Sequence, residues 1–356
     1  MNILSMTFSE VTAEMQRVYG KGAFHAAAFY REVFKKGNRK FYESPEFTAS
    51  GGLSKKLATA VTLPDFSIAA CRKSTEGATK FATLLDDGNS IETVILPVRN
   101  RTTVCVSSQV GCAMGCAMCR TGQSGFIHNL STAEIIGQVY AVRFEFNLPV
   151  DNVVFMGMGE PFNNFDNVLQ AVRVLSDQRE FAFSQRAITV STAGVIPGIA
   201  KLAAMNMPNL RIAVSINAAD DTMRSRLMPI NNSYPLADLK KTLLSLPLGR
   251  DGVIFIEYVL LAGVNDSPEM AHKLADYLQG LKVRCNLIAF NQSDSLPFTA
   301  PTPDQVDRFR SVLAGRNLFV RVRQSLGNDI NAACGQLWGG SGGYLRGRQG
   351  HTKPIC

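Results

Sequence analysis

Histidine and tryptophan are scarce in this 356-residue chain, at four and one. His25, His128, His272 and His351 fall at no ligand spacing, so a histidine-built metal centre is not indicated. Charge is also thin. Asp, Glu, Lys and Arg make up 19% of the residues against 46% hydrophobic and 8% aromatic, a balance that excludes a disordered or fibrous chain. No secretory leader is visible, because Glu10 and Glu14 stand where its apolar core would continue. The longest uncharged run, Thr102 to Cys119, carries two threonines, two serines, Gln109 and two glycines and is too polar for a membrane span. No Gly-x-Gly-x-x-Gly sequence opens a βα unit, which argues against a dinucleotide dehydrogenase.

What is present is an uneven set of eight cysteines: Cys71, Cys105, Cys112, Cys116, Cys119, Cys285, Cys334 and Cys356. Four fall between positions 105 and 119. In a chain expected in the cytoplasm these are metal ligands, catalysts or core residues before they are a disulfide framework. Cys71 and Cys285 lie in apolar runs and read as small core residues. The net charge of +8 permits a polyanionic partner without demonstrating one. Half of that excess follows Leu318, where Arg321, Arg323, Arg346, Arg348 and Lys353 face Asp329 alone.

Residues 1–95 read as a small N-terminal accessory domain. A helix carrying Phe24, Ala27, Ala28, Phe29 and Val33 ends in Lys35, Lys36, Arg39 and Lys40, which suit either the helix dipole or phosphates. Asp86-Asp87-Gly88-Asn89 separates two apolar runs and predicts a hairpin. From residue 96 to 337 apolar runs alternate with helical periodicity, the pattern of repeated βα units. The expected strands are Thr103–Ser107, Asn152–Met156, Ala187–Ser191, Arg211–Ser215, Val253–Leu261 and Val283–Ala289, with Leu318–Val322 as a seventh. Ser131 with Glu134, Ser267 before Pro268, and Thr302 before Pro303 mark helix starts. Six or seven such units fit a partial (β/α)6-type TIM barrel or a doubly wound sheet, both of which collect functional groups at the carboxyl ends of strands. Residues 338–356 hold six glycines and three basic residues and read as a flexible tail.

Cys112-x3-Cys116-x2-Cys119 follows the first barrel strand and offers three thiols. A structural zinc site prefers four, commonly as two Cys-x-x-Cys pairs, whereas three thiolates on a four-iron cluster leave one iron open. This spacing resembles the signature of the radical S-adenosylmethionine superfamily. Cys105-Val-Ser-Ser-Gln-Val-Gly-Cys112, Met156-Gly-Met-Gly-Glu-Pro161, Met228-Pro-Ile-Asn231 and Asp329-Ile-Asn-Ala-Ala-Cys334-Gly-Gln-Leu337 resemble, more narrowly, the RlmN/Cfr family of adenosine methyltransferases. The similarity runs from the N-terminal domain to about Gly339.

The resemblance implies a radical S-adenosylmethionine barrel in which Cys112, Cys116 and Cys119 hold a 4Fe-4S cluster and Gly159, Glu160, Ser191, Ser215, Asn217 and Asn291 bind S-adenosyl-L-methionine. The family commonly has Ser-Leu-His where Ser215-Ile216-Asn217 stands. It further implies that Cys334 carries a methyl group, that Cys105 resolves the product through a transient disulfide, and that Glu92 removes a ring proton. The implied product is an adenosine methylated at a ring carbon in 23S ribosomal RNA, with transfer RNA as a second target. Pro161 resembles the branch that methylates C2, and the C2 product is favoured. Gln324-Ser325-Leu326-Gly327 and Leu337-Trp338-Gly339 are closer to the C8 branch, so a C8 enzyme or a paralogue acting on another RNA is the alternative. A zinc-dependent RNA-binding protein is the competing class. The implied partners are RNA and a reductant such as flavodoxin, with no membrane and a monomeric state.

Overall fold

The computed structural model describes residues 1–64, 66–293 and 295–338, so the expected tail, apart from Trp338, lies outside the described residues. The N-terminal layer is helical: α1 (Phe8–Tyr19), α2 (Ala23–Tyr30), α3 (Pro45–Thr48) and α4 (Leu53–Ala60). Thr7 and Glu10 form a capping box at the start of α1, which satisfies donors that the first turn cannot. α2 continues directly into a π turn over Arg31–Lys35. Val11, Met15, Ala26, Phe29, Val33 and Phe34 are wholly buried where these helices meet the rest of the molecule.

Three strands follow, β1 (Ser67–Lys73), β2 (Thr79–Leu84) and β3 (Ser90–Val98), and β2 and β3 are the expected hairpin. The sheet runs on through residue 95. β3 pairs antiparallel with β4 (Arg101–Cys105), so the first 95 residues supply both a helical layer and strands that extend the barrel sheet. After β4 come a short ladder of β5 (Gln109–Gly111) and β6 (Phe126–Asn129), with α5 (Arg120–Gln123) between them, and then α6 (Thr132–Phe144).

The remaining chain alternates strand and helix: β7 (Asn152–Phe155), α7 (Phe165–Ser176), β8 (Ile188–Thr192), α8 (Ile196–Ala204) and β9 (Arg211–Ser215). Then follow α9 (Asp221–Leu227), α10 (Leu236–Leu244), β10 (Ile254–Leu260), α11 (Pro268–Leu278), β11 (Val283–Ala289), α12 (Pro303–Gly315) and β12 (Val320–Arg323). Strands β4, β7, β8, β9, β10, β11 and β12 are parallel neighbours in that order. This is the partial barrel: six βα units and a further parallel strand. The predicted helix starts are real caps, since Ser131, Ser267 and Thr302 accept from the backbone N–H three residues on.

β4 ends two residues before the expected limit. Ser107 N–H turns to Gln138 Oε1 instead of a strand partner, and Gln138 Nε2 donates back to the Ser107 carbonyl. The parallel register brings Cys105 beside Val154, Ser191 beside Ala213, and Glu257 between Ser215 and Asn286. One cavity at the carboxyl side of the strands is the result. Among the described residues no helix is long and apolar enough to cross a membrane.

Candidate active site

Cys112, Cys116 and Cys119 leave the end of β5 on a loop whose shape depends on glycine. Gly111 has φ 73°, and a Cβ there would lie 1.9 Å from the Gly125 carbonyl oxygen. The Cys112 N–H donates to that same oxygen at 2.8 Å, and Ala117 N–H donates to the Leu227 carbonyl at 2.9 Å. All three cysteines border the cavity. Burial, with the neighbouring thiols, pushes the Cys116 thiol strongly up, and burial pushes Cys112 to about 12. Thiols so placed need compensating positive charge before they ionise. Among the described residues no three His, Cys, Asp or Glu side chains form a ready-made cage for a metal ion. Three thiols on one glycine-shaped loop, bordering a shared space, fit an iron–sulfur cluster with one iron left open.

The next wall comes from the turn after β7. Gly159 has φ 98°, and a Cβ there would lie 2.5 Å from the Gln109 side chain. Gln109 Oε1 in turn accepts from Glu160 N–H at 2.8 Å, so the Gln109 and Glu160 motifs lock together. Glu160 is buried. Its two carboxylate oxygens accept from Phe162 N–H at 3.0 Å and Ala193 N–H at 2.7 Å. Burial raises it to about 7, and those backbone donors oppose the rise. A buried carboxylate in this state suits an ammonium ligand. Ser191 and Ser215, from the ends of β8 and β9, border the cavity with Asn217.

Asn217 adopts φ 56°, a left-handed conformation that asparagine tolerates better than most residues. Its Oδ1 accepts from Val259 N–H at 2.8 Å, and its Nδ2 donates to Met228 Sδ at 3.2 Å. Much of its polar capacity therefore holds β9 to β10. Beneath these strand ends lies Arg224, which sequence reasoning missed. It is wholly buried and donates to the carbonyls of Ile216, Ser215 and Ala193 and to Asn231 Oδ1. That bond gives the Met228-Pro-Ile-Asn231 motif a physical role: Asn231 aligns the guanidinium that binds the carbonyls beyond β8 and at the end of β9. The adjacency of this motif to a basic residue in α9 was the available signal.

Cys105 and Cys334 come from opposite ends of the sequence to the same cavity. Cys105 ends β4 and is buried, and burial with the nearby Cys334 thiol pushes it up to about 12. Cys334 is accessible to water yet enclosed by protein, as expected of a residue facing into a cavity; burial pushes it up to about 11. Its segment is held from several sides. Arg120 N–H donates to the Gly335 carbonyl, Thr121 Oγ1 to the Leu337 carbonyl, Lys80 Nζ to the Asn331 carbonyl, and Gln336 Nε2 to the Gln292 carbonyl.

Two expected site residues stand behind the cavity wall rather than on it. Asn291 Nδ2 donates to the Cys334 carbonyl at 3.0 Å. Glu92, on β3, is 1% exposed, paired with Lys80 at 2.9 Å, and accepts from Trp338 N–H at 2.8 Å. The basic cluster after α2 is at the surface, with Lys35, Lys36 and Lys40 exposed and each side chain near an acceptor. Lys35 donates to the Glu180 carbonyl, Lys36 to Glu32, and Arg39 to the carbonyls of Leu63 and Pro64, while Lys40 lies 3.9 Å from Glu43. Cys285 is wholly buried in the core, as the apolar run implied.

Comparison with known proteins fits this geometry. The model of the radical SAM superfamily matches residues 106–275. The dual-specificity RNA methyltransferase RlmN of Geotalea uraniireducens is 41% identical over 338 residues, covering 95% of this chain and 96% of that protein. The RlmN of Geobacter sulfurreducens is 42% identical, over 90% of this chain and 87% of the relative. Among solved structures, a radical SAM methyltransferase from Sphaerobacter thermophilus matches with a TM-score of 0.87 and 35% identity, over 95% of this chain and 99% of that one.

Proposed function

The chain belongs to the RlmN/Cfr family of radical S-adenosylmethionine methyltransferases, which use a 4Fe-4S cluster and S-adenosylmethionine, and on that premise we propose that it methylates a ring carbon of adenosine in RNA. The favoured product is 2-methyladenosine in 23S ribosomal RNA, with transfer RNA as a second substrate. The observation that carries this reading is the convergence of Cys105 and Cys334 on the cavity bordered by Cys112, Cys116 and Cys119.

The chemistry explains why two further cysteines are needed. An adenine carbon bearing hydrogen is a poor nucleophile for ordinary methyl transfer. On this reading Cys112, Cys116 and Cys119 hold the cluster and Gly159, Glu160, Ser191, Ser215 and Asn217 hold the cofactor, while Asn291, expected among them, acts from behind the wall through its bond to the Cys334 carbonyl. When bound, these groups supply the methyl group and the radical that removes a hydrogen atom from it. Cys334 carries the methyl group as a thioether and presents the resulting carbon radical to the base. Glu92 takes the ring proton. Trp338, whose N–H donates to Glu92, is only four residues beyond Cys334, so movement of that segment removes this donor and leaves Glu92 with its Lys80 partner. Loss of the ring proton and of one electron, taken up by a redox partner such as flavodoxin, leaves base and Cys334 joined by a thioether. The Cys105 thiolate then attacks the Cys334 sulfur, the carbon–sulfur bond breaks, the freed carbon takes a proton to become the methyl group of the base, and the disulfide is left for a thiol reductant. Basic residues near Arg321 and Arg323, and in the N-terminal domain, meet the RNA phosphates, and the enzyme acts as a cytoplasmic monomer.

The decisive measurement is mass spectrometry of digested ribosomal and transfer RNA from cells with and without the gene, resolving 2-methyladenosine from 8-methyladenosine. Loss of the 2-methyl product with the gene is expected. No change in either product would reject the substrate, and zinc without iron and sulfide after anaerobic purification would reject the reaction class. Cys105→Ala is expected to accumulate protein covalently joined to RNA.

A further inference from the structure

One carboxylate on the cavity wall has no task in that scheme. Glu257 lies on β10 in the otherwise largely apolar run Ile254–Leu260 and is 5% exposed. Its Oε1 accepts from Asn286 Nδ2 at 2.8 Å, with Arg323 Nη1 at 3.7 Å. Its Oε2 is buried and has no hydrogen-bond partner among the described residues. A buried acceptor oxygen without a donor is costly, and a wall position of this kind is tolerable where a ligand brings the donor. Glu257, Arg323, Cys105 and Cys334 border the same cavity, and the charges of Glu257 and Arg323 are felt at the Cys334 thiol.

The base must bring its reacting carbon to the group on Cys334, which carries the rest of the ring into the space that Glu257 borders. Adenine offers ring nitrogens as acceptors and a single exocyclic donor, its amino group. We propose that Glu257 accepts a hydrogen bond from the exocyclic amine of the target adenine, with Asn286 and Arg323 holding the carboxylate in place. This rests on the RNA-adenosine reading above. It adds a basis for base choice: hypoxanthine and guanine present a carbonyl oxygen at that ring position, which would set two acceptors against each other. Glu257 is thus a recognition residue whose free oxygen is filled only when the correct base is present.

The test uses the cluster-loaded full-length enzyme and RNAs identical except at the target, carrying adenosine, purine riboside or inosine. The unaltered protein is expected to lose at least about tenfold in kcat/KM on purine riboside and roughly a hundredfold on inosine. Glu257→Gln keeps a carbonyl acceptor and gains a donor that can face the inosine oxygen, so its preference for adenosine over inosine should fall at least about tenfold. Methylation of Cys334, read by peptide mass, reports separately that cofactor binding and self-methylation survive in the variant. Equal rates on adenosine and purine riboside with the unaltered protein would overturn the role of Glu257 whatever the variant does. An unchanged adenosine preference in a Glu257→Gln protein that still methylates Cys334 would overturn it as well. Failure of the unaltered protein to methylate adenosine RNA at all removes the underlying reading, and this proposal with it.

Discussion

The two sides of the cavity are built by different means. The side assigned to the cofactor is made of turns at strand ends: a glycine-shaped cysteine loop, the Gly157–Glu160 turn and the ends of β8 and β9, with Glu160 bonded to Ala193 N–H and Arg224 bonded to the carbonyls of Ala193 and Ser215. The Cys334 side is a segment without a strand or long helix. It is held by bonds from residues as far away in sequence as Ser74, Lys80 and Glu92. On the first side Glu160, Asn217 and Arg224 are each bonded to surrounding backbone groups. The second is held by a handful of hydrogen bonds to distant segments, which suits the movement that the role proposed for Cys334 would need.

Removing Arg224 is the most severe way to break this comparison. Arg224→Met leaves the carbonyls of Ile216, Ser215 and Ala193 and the amide of Asn231 without their buried donor. A loss of about 3–5 kcal/mol in unfolding free energy is expected, measurable by urea denaturation. A change below about 1 kcal/mol would show that the cofactor wall does not depend on it.

Lys80→Met attacks the other side. It leaves the buried Glu92 charge without its cation and removes the Asn331 tie, at an expected cost of about 3 kcal/mol. Cofactor affinity should be nearly unchanged, because Lys80 does not border the cavity. Changing Glu92 to Gln in the same protein should restore part of the stability by removing a buried charge that has lost its lysine. Additive losses in the double variant would mean that the pair is not coupled.

The same division governs what could be read from the sequence. Seven parallel strands, the hairpin and the helix caps were legible, because apolar runs, turn residues and capping pairs act over a few neighbouring positions. The cysteine loop and the Glu160 turn were legible for the same reason. Lys80 was not, since nothing near Thr79–Leu84 announces a partner at Glu92 and another at Asn331. The acceptors beside Lys35 and Arg39 were equally hidden, since Glu180, Leu63 and Pro64 lie far from them in sequence. Glu257 left a trace, a lone carboxylate in an apolar strand, but only the packing of β11 and β12 beside it shows why it matters.

Acidity separates the two sides at smaller cost. Burial raises Glu160 to about 7, so the carboxylate needed by an ammonium ligand is lost as the pH falls through that value. Cofactor affinity should fall by up to about tenfold per unit of pH below 7 and level off near neutrality. Calorimetric titration with S-adenosylmethionine between about pH 5.5 and 7.5 would measure this. The same affinity across that range would show that Glu160 does not titrate in the site.

The Cys334 side should respond in a lower range. Asp329 accepts from Ser74 Oγ at 2.6 Å and from Thr75 N–H at 3.0 Å, and these bonds, the serine hydroxyl first, hold its carboxyl below the usual carboxylate range. A depressed carboxylate contributes its ties fully at neutral pH and loses them only as the pH falls through the depressed value. The chain's single tryptophan, Trp338, ends this segment with its ring facing the Arg120 guanidinium at 5.4 Å, so its fluorescence reports release directly. Acid titration should shift the emission of the unaltered protein to longer wavelength before the core unfolds. Asp329→Asn should show part of that shift already at neutral pH and lack the acid step, with urea stability nearly unchanged. Superimposable titrations of the two proteins would mean that Asp329 is not what holds the Cys334 segment against the turn between β1 and β2.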